Sequence, residues 1–132
     1  MSEIKILICE KDPLLLRALE QALQWEGNHV FCAYNGREAI KIIEREHLDV
    51  MLTDVLLPFY SGLELIQKAR FKFKHTIFIM VLSFISFEDT IELACQLGAD
   101  DYMLKPVETE QVLLRILQEV MPNGPTILNE LP

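Results

Sequence analysis

Leu52-Thr53-Asp54-Val55-Leu56-Leu57-Pro58, followed by Gly62, is the stretch whose reading decides the fold. A run from Asp49 to Thr53 that is almost wholly apolar ends in one acid, and turn-forming residues follow. A strand buried on both faces reads as such a run, and open parallel sheets bind ligands at the carboxyl ends of their strands. Asp54 is thereby a carboxylate delivered to the functional edge of a sheet, and Pro58 and Gly62 shape the turn into the next helix.

Outward from this point, strands and helices alternate five times. Strands are predicted at Ile4–Cys9, His29–Ala33, Leu48–Thr53, Thr76–Leu82 and Asp101–Leu104. The first helix is predicted from Pro13 to Glu26, with Leu16, Leu19 and Leu23 on one face, Asp12 as N-cap and Gly27 as its stop. Asn35-Gly36 opens a second helix carrying Ala39, Ile40 and Ile43. Ser61 with Glu64 reads as a capping box for a third helix running to about Arg70, and Ser86 with Asp89 as one for a fourth that stops at Gly98. The last helix runs from Val107 or Glu108 to Met121, with Val112, Leu113, Ile116, Leu117 and Val120 inward. Right-handed crossovers make this an α/β fold, a parallel sheet with helices on both faces.

At 132 residues the chain suits one domain, predicted over residues 1–121, with 122–132 as a linker or loose C-terminal tail. Its net charge of −8 argues against a broad basic nucleic-acid surface. Cys9, Cys32 and Cys95 lie in apolar segments without metal-ligand spacing and read as reduced core thiols of a cytoplasmic protein. Glu3 and Lys5 interrupt any leader, and no apolar run is long enough to span a bilayer, so no membrane contact is expected. His29, His47 and His75 are scattered and read as surface or packing residues.

Four polar residues fall at or just after predicted strand ends: Glu10, Asp54, Ser83 and Lys105. A parallel sheet gathers them, although they are far apart in sequence. Two carboxylates suit Mg²⁺, which takes hard oxygen ligands and keeps waters. A hydroxyl and an ammonium suit the oxygens of a phosphoryl group. Together they favour phosphoryl transfer to or from a carboxylate.

The motifs Ile6-Leu7-Ile8-Cys9-Glu10, Asp54 with Pro58 and Gly62, Val81-Leu82-Ser83, and Gly98-Ala99-Asp100-Asp101-Tyr102-Met103-Leu104-Lys105-Pro106 occur in one order on the expected strand ends. In this the chain resembles the response-regulator receiver domain of two-component signalling, from Ile4 to about Val120. The resemblance implies a flavodoxin-like (βα)5 sheet of order 2-1-3-4-5. It implies that Asp54 accepts a phosphoryl group from a histidine kinase or histidine phosphotransfer protein, a phosphoacceptor role rather than that of a turnover enzyme. Glu10, Asp54 and the backbone carbonyl of Leu56 would hold Mg²⁺, with Asp12 a further candidate. Lys105 would pair with Asp54 and then with the phosphoryl oxygens, Ser83 would donate to the new phosphoryl group, and Tyr102 would be the aromatic switch. The Lys105-Pro106 bond would be cis. The fourth helix, fifth strand and fifth helix would carry the signal to an output domain or partner protein. Asp100, Asp101 and Arg115 resemble part of an ion-pair set used for homodimers, but Ile91 and Gln111 stand where another charged pair is expected.

Two departures stand out. Lys11 replaces the second of two adjacent acids, which predicts weaker Mg²⁺ binding and slower phosphorylation. Phe84 follows Ser83 where a small residue is usual, within an apolar rim of Leu56, Leu57, Phe59, Tyr60, Ile85 and Phe87. That rim predicts a long-lived phosphoaspartate or a docking patch, unless its members cover one another. Lys11 and Phe84 also fit an alternative, a pseudo-receiver acting as a phosphate-independent interaction module. A cofactor-binding member of the same fold is disfavoured, because Glu10-Lys11-Asp12-Pro13 stands where a glycine-rich phosphate loop would be.

Overall fold

A computed structural model describes residues 3–24 and 27–120. The strands are β1 (Lys5–Cys9), β2 (His29–Ala33), β3 (Val50–Thr53), β4 (Phe78–Ser83) and β5 (Asp101–Leu104). The helices are α1 (Pro13–Leu23), α2 (Gly36–Arg45), α3 (Gly62–Phe73), α4 (Glu88–Leu97) and α5 (Thr109–Val120). All strand pairs are parallel, in the order β2-β1-β3-β4-β5.

The central strands β1, β3 and β4 are apolar along their length because both faces are covered. Leu7, Cys9, Met51, Ile79 and Val81 face a core completed by α2, α3 and α4. Ile6, Ile8, Leu52, Met80 and Leu82 alternate with them toward α1 and α5, meeting Leu16, Leu19, Val112 and Ile116. Leu113 and Val120 pack at the margin of this second cluster.

The helix ends differ in part from their prediction. Asp12 caps α1 by accepting from Leu14 N, but the helix ends at Leu23 with Gln24 as C-cap. The helix thus stops short of its predicted end, Glu26, which lies outside the described residues, and Gly27 has a left-handed φ of +76°. Asn35 caps α2, and Ser61 caps α3 through Glu64 N. α3 continues past Arg70 to Phe73, because Phe73 is itself a core residue. Cys9 is buried and Cys32 half-buried, but Cys95 is exposed, so only the first is a true core thiol. Burial pushes the Cys32 thiol up to about 12, which keeps it protonated. The predictions for Met121 and for the tail 122–132 fall outside the described residues.

α4 corrects the second capping box. It starts at Glu88 with Phe87 at the N-cap, so Ser86 stands one residue too early and no side chain accepts a capping bond. An uncapped first turn leaves backbone N–H groups to water. Phe87→Asp is expected to stabilise the fold by about 1 kcal/mol in urea unfolding, since a capping side chain is worth about that much. An unchanged or lower midpoint would mean that the Phe87 ring contributes more than its exposure suggests.

Candidate functional site

The sheet itself assembles the site. The register sets Cys9 beside Thr53, Thr53 beside Val81, and Ser83 beside Leu104. The ladder then runs one residue further: Glu10 N donates to Ala33 O at 3.0 Å, Asp54 N to Cys9 O at 3.1 Å, and Lys105 N to Ser83 O at 2.9 Å. The backbones of all three charged residues are thus fixed by strand pairing rather than by loops. Ser83 ends β4 between β3 and β5, and is fully buried.

Lys105 Nζ lies 2.8 Å from Glu10 Oε1 and 2.8 Å from Asp54 Oδ2. All three side chains are almost wholly buried. Glu10 Oε2 accepts from Asp12 N at 3.0 Å, and Asp54 Oδ1 from Leu56 N at 3.2 Å. Among the described residues no buried side-chain polar atom lacks a partner. Two carboxylates around one ammonium leave a net charge of −1 at the end of the sheet. Burial pulls the Lys105 ammonium's pKa down. The hydrogen bonds and charges of Asp54 and Glu10 outweigh that, and it ends above its ordinary value.

Ser83 and Tyr102 meet at one peptide. Ser83 Oγ accepts from Ile85 N at 3.1 Å, and Tyr102 Oη donates to Ile85 O at 2.7 Å. Burial raises the Tyr102 pKa, which the neighbouring Ser83 hydroxyl opposes and the Asp54 charge reinforces. The Lys105-Pro106 peptide is cis, as the family resemblance implies. Phe84 is exposed and sits against Lys105, whose Nζ is 5.6 Å from the ring centroid. Both line a cleft of about 190 Å³ with Asp12, Leu15, Pro106 and Val107.

The site residues fit Mg²⁺ in number and chemistry. Mg²⁺ needs only one or two protein carboxylates besides waters, and the excess negative charge here is unbalanced. Asp12 fits less well, because its Oδ1 is engaged in capping α1 at Leu14 N, 3.1 Å away. Lys11 is exposed. Among the described residues no three His, Cys, Asp or Glu side chains gather as a metal cluster.

Two features of the rim lie beyond what the sequence reading found. Phe59 has φ +73°, a left-handed conformation that disfavours a β-carbon, and the Arg37 guanidinium covers its ring at 3.9 Å. Pro58 O accepts from Gly36 N at 3.0 Å, so the β3–α3 loop is clamped to the start of α2. The Asn35-Gly36 pair was the available signal, since a close backbone approach calls for glycine. The apolar rim does not fold down over itself. Leu56, Phe59, Tyr60, Phe84 and Phe87 are exposed, and only Leu57 and Ile85 pack on the core.

Residues 6–117 match the response regulator receiver domain family. The chain belongs to that family. A CheY-like receiver domain protein from Methanospirillum hungatei JF-1 is 30% identical, with a TM-score of 0.82 over 93% of this chain and 100% of the other. A two-component response regulator from Clostridium difficile is 28% identical, with a TM-score of 0.82 over 92% and 100%. A putative response regulator from Chloroflexus aurantiacus J-10-fl is 28% identical, with a TM-score of 0.76 over 89% and 97%. The receiver fold, with its flavodoxin-like strand order, is therefore common to this chain and these neighbours. No helix of the described residues is long and apolar enough to cross a membrane.

Proposed function

We propose that this receiver accepts a phosphoryl group on Asp54 from the phosphohistidine of a histidine kinase or histidine phosphotransfer protein. One observation carries the reading: the Lys105 ammonium lies at equal distance from the two buried carboxylates, Glu10 and Asp54, at the carboxyl end of the sheet. A carboxylate oxygen of Asp54 forms a bond to phosphorus as the donor's P–N bond breaks. The electron pair leaves with the imidazole, and an acyl phosphate remains. Lys105, already beside Asp54 Oδ2, turns from the carboxylate to the phosphoryl oxygens. The Ser83 hydroxyl accepts from Ile85 N and keeps its own proton to donate. Glu10, Asp54 and the Leu56 carbonyl would hold Mg²⁺, whose charge, when bound, balances that of the phosphoryl oxygens.

The switch follows from the shared peptide. Ile85 is held by Ser83 at its N–H and by Tyr102 at its carbonyl. A Ser83 that moves toward a phosphoryl group changes one of the two bonds and so biases the β4–α4 loop and Tyr102. The α4–β5–α5 face is the output surface in this reading.

Intact-mass spectrometry after incubation with acetyl phosphate tests it. The wild type is expected to gain one phosphoryl group in a Mg²⁺-dependent way, and Asp54→Ala to gain none. Lys11→Asp is expected to lower the Mg²⁺ midpoint by roughly tenfold, about 1.4 kcal/mol. Phe84 over the Lys105 side of the pocket is expected to slow loss of the adduct, and Phe84→Ala to speed it. No adduct from acetyl phosphate or from a phosphohistidine donor would overturn the reading and leave a phosphate-independent module.

A further inference from the structure

Charge is unevenly distributed along this chain. Residues 84–120 hold eight acidic side chains against two basic ones, whereas residues 1–83 hold eleven against ten. Neither base of the acidic segment offers a free positive charge. Lys105 is buried between Glu10 and Asp54, and Arg115 pairs within its own chain with Asp101 and Glu119, each at 2.9 Å. Helix α4 carries Glu88, Asp89 and Glu92 and no base at all.

The same face is apolar where it is exposed. Phe87 and Ile91 are one turn apart and share a side of α4. Phe87 is 73% exposed, and Ile91 lines a shallow groove with Glu88 and Glu92. Leu104 follows Tyr102 by two residues on the edge strand β5, so both point to the α4 side of the sheet. Tyr102 packs on the core there, while Leu104 stays 46% exposed.

We propose that this α4–β5 face docks a basic amphipathic helix, with apolar side chains against Phe87, Ile91 and Leu104 and Lys or Arg side chains against Glu88 and Glu92. Apolar anchors one turn apart, flanked by charge of one sign, match a helix laid in a groove. Charge decides between the occupants. A second copy related by a two-fold axis would set this patch against itself, acid against acid, with Arg115 already engaged. A basic helix meets complementary charge instead. The proposal rests on the output-surface reading above and adds the partner's chemistry; it does not use the Asp54 reaction, so an Asp54→Ala protein serves equally well.

The test is fluorescence anisotropy of the full chain with a labelled Leu/Lys amphipathic helix, and with its Leu/Glu counterpart. The Leu/Lys helix is expected to bind saturably and the Leu/Glu helix not to bind. Glu88→Lys/Glu92→Lys and Ile91→Ser are each expected to weaken binding by about tenfold or more. Glu3→Lys/Glu44→Lys, which makes the same change in net charge on other exposed residues, is expected to stay within about twofold of wild type. Circular dichroism checks that each variant is folded. Absence of binding would overturn the proposal. So would equal weakening by both double variants, which would mean attraction to the net charge alone. Sedimentation showing a dimer that Glu88→Lys/Glu92→Lys dissolves would assign the face to a second copy.

Discussion

Lys105→Met is expected to destabilise the fold by about 3–5 kcal/mol, and Asp54→Asn by less than about 1 kcal/mol. The asymmetry comes from counting charges in the buried cluster. Lys105 is the counter-ion of both Glu10 and Asp54. Its removal leaves two carboxylates facing each other without compensation, where burial magnifies their repulsion. Asp54→Asn leaves a neutral pair, Glu10 with Lys105, and an amide oxygen that can still accept from Leu56 N. Lys105→Met/Asp54→Asn is expected to recover part of the loss, giving a coupling energy of about 1–3 kcal/mol in a double-mutant cycle. The pH dependence has a definite sign. The Lys105 pKa is raised in the folded state, so its stabilisation is present below the unfolded value and is lost as pH rises through the higher folded value. The gap between wild type and Lys105→Met should therefore stay level from about pH 7 to about pH 10 and shrink above that. Urea unfolding across that range measures it. A Lys105→Met loss as small as that of Asp54→Asn would mean that water reaches and screens the carboxylates.

The parts of this molecule that repeat with a period were legible in the sequence. Apolar runs gave the central strands, and the 3.6-residue spacing of Leu16, Leu19 and Leu23 gave the buried face of α1. The gathering of the candidate residues was legible for the same reason. Glu10, Asp54, Ser83 and Lys105 are placed by strand ends, and in a parallel sheet the strand ends coincide once the order is known. Side chains that act across elements left no such trace. In the sequence Arg70 marks only the end of a helix. It donates to Gly98 O and Ile77 O, and pairs with Asp100 at 2.7 Å, tying α3 to the turns before β4 and β5. Asp100 and Asp101 resemble dimer residues in the sequence, and only the fold shows that each forms an ion pair within the chain. The sequence ends α3 at about Arg70, because only the fold reveals that Phe73 is buried and Phe71 is not.

Loop geometry marks the same boundary from the other side. The clamp of Arg37 on Phe59 depends on a left-handed residue that no propensity favours, and it fixes the loop carrying Leu56. The sequence names the apolar rim but leaves its exposure open. That exposure is what separates a docking surface from a minor cluster, since large apolar side chains left in water are the informative exception.

Gly62→Ala is expected to cost about 2–4 kcal/mol and to abolish or strongly reduce phosphorylation of Asp54. A β-carbon at position 62 would lie 1.9 Å from Asp54 O and 2.9 Å from Val55 Cα. These are backbone atoms that no side-chain rotation can move aside. Gly62 N also donates to Val55 O at 2.8 Å, so α3 begins in direct contact with the end of β3. Relief of the clash must displace either the helix or the strand end that aims the Asp54 carboxylate at Lys105. Gly36→Ala makes a similar clash, 2.3 Å from Tyr60 O, but on the rim. It should cost comparable stability while leaving Asp54 able to form an adduct. Gly27→Ala meets nothing within 4 Å and pays only for its left-handed φ of +76°, about 1 kcal/mol. Urea midpoints and acetyl-phosphate labelling of the three variants separate the effects. If Gly62→Ala labels like wild type while losing stability, the helix has yielded rather than the strand, and Asp54 is held by β1 and β4 alone.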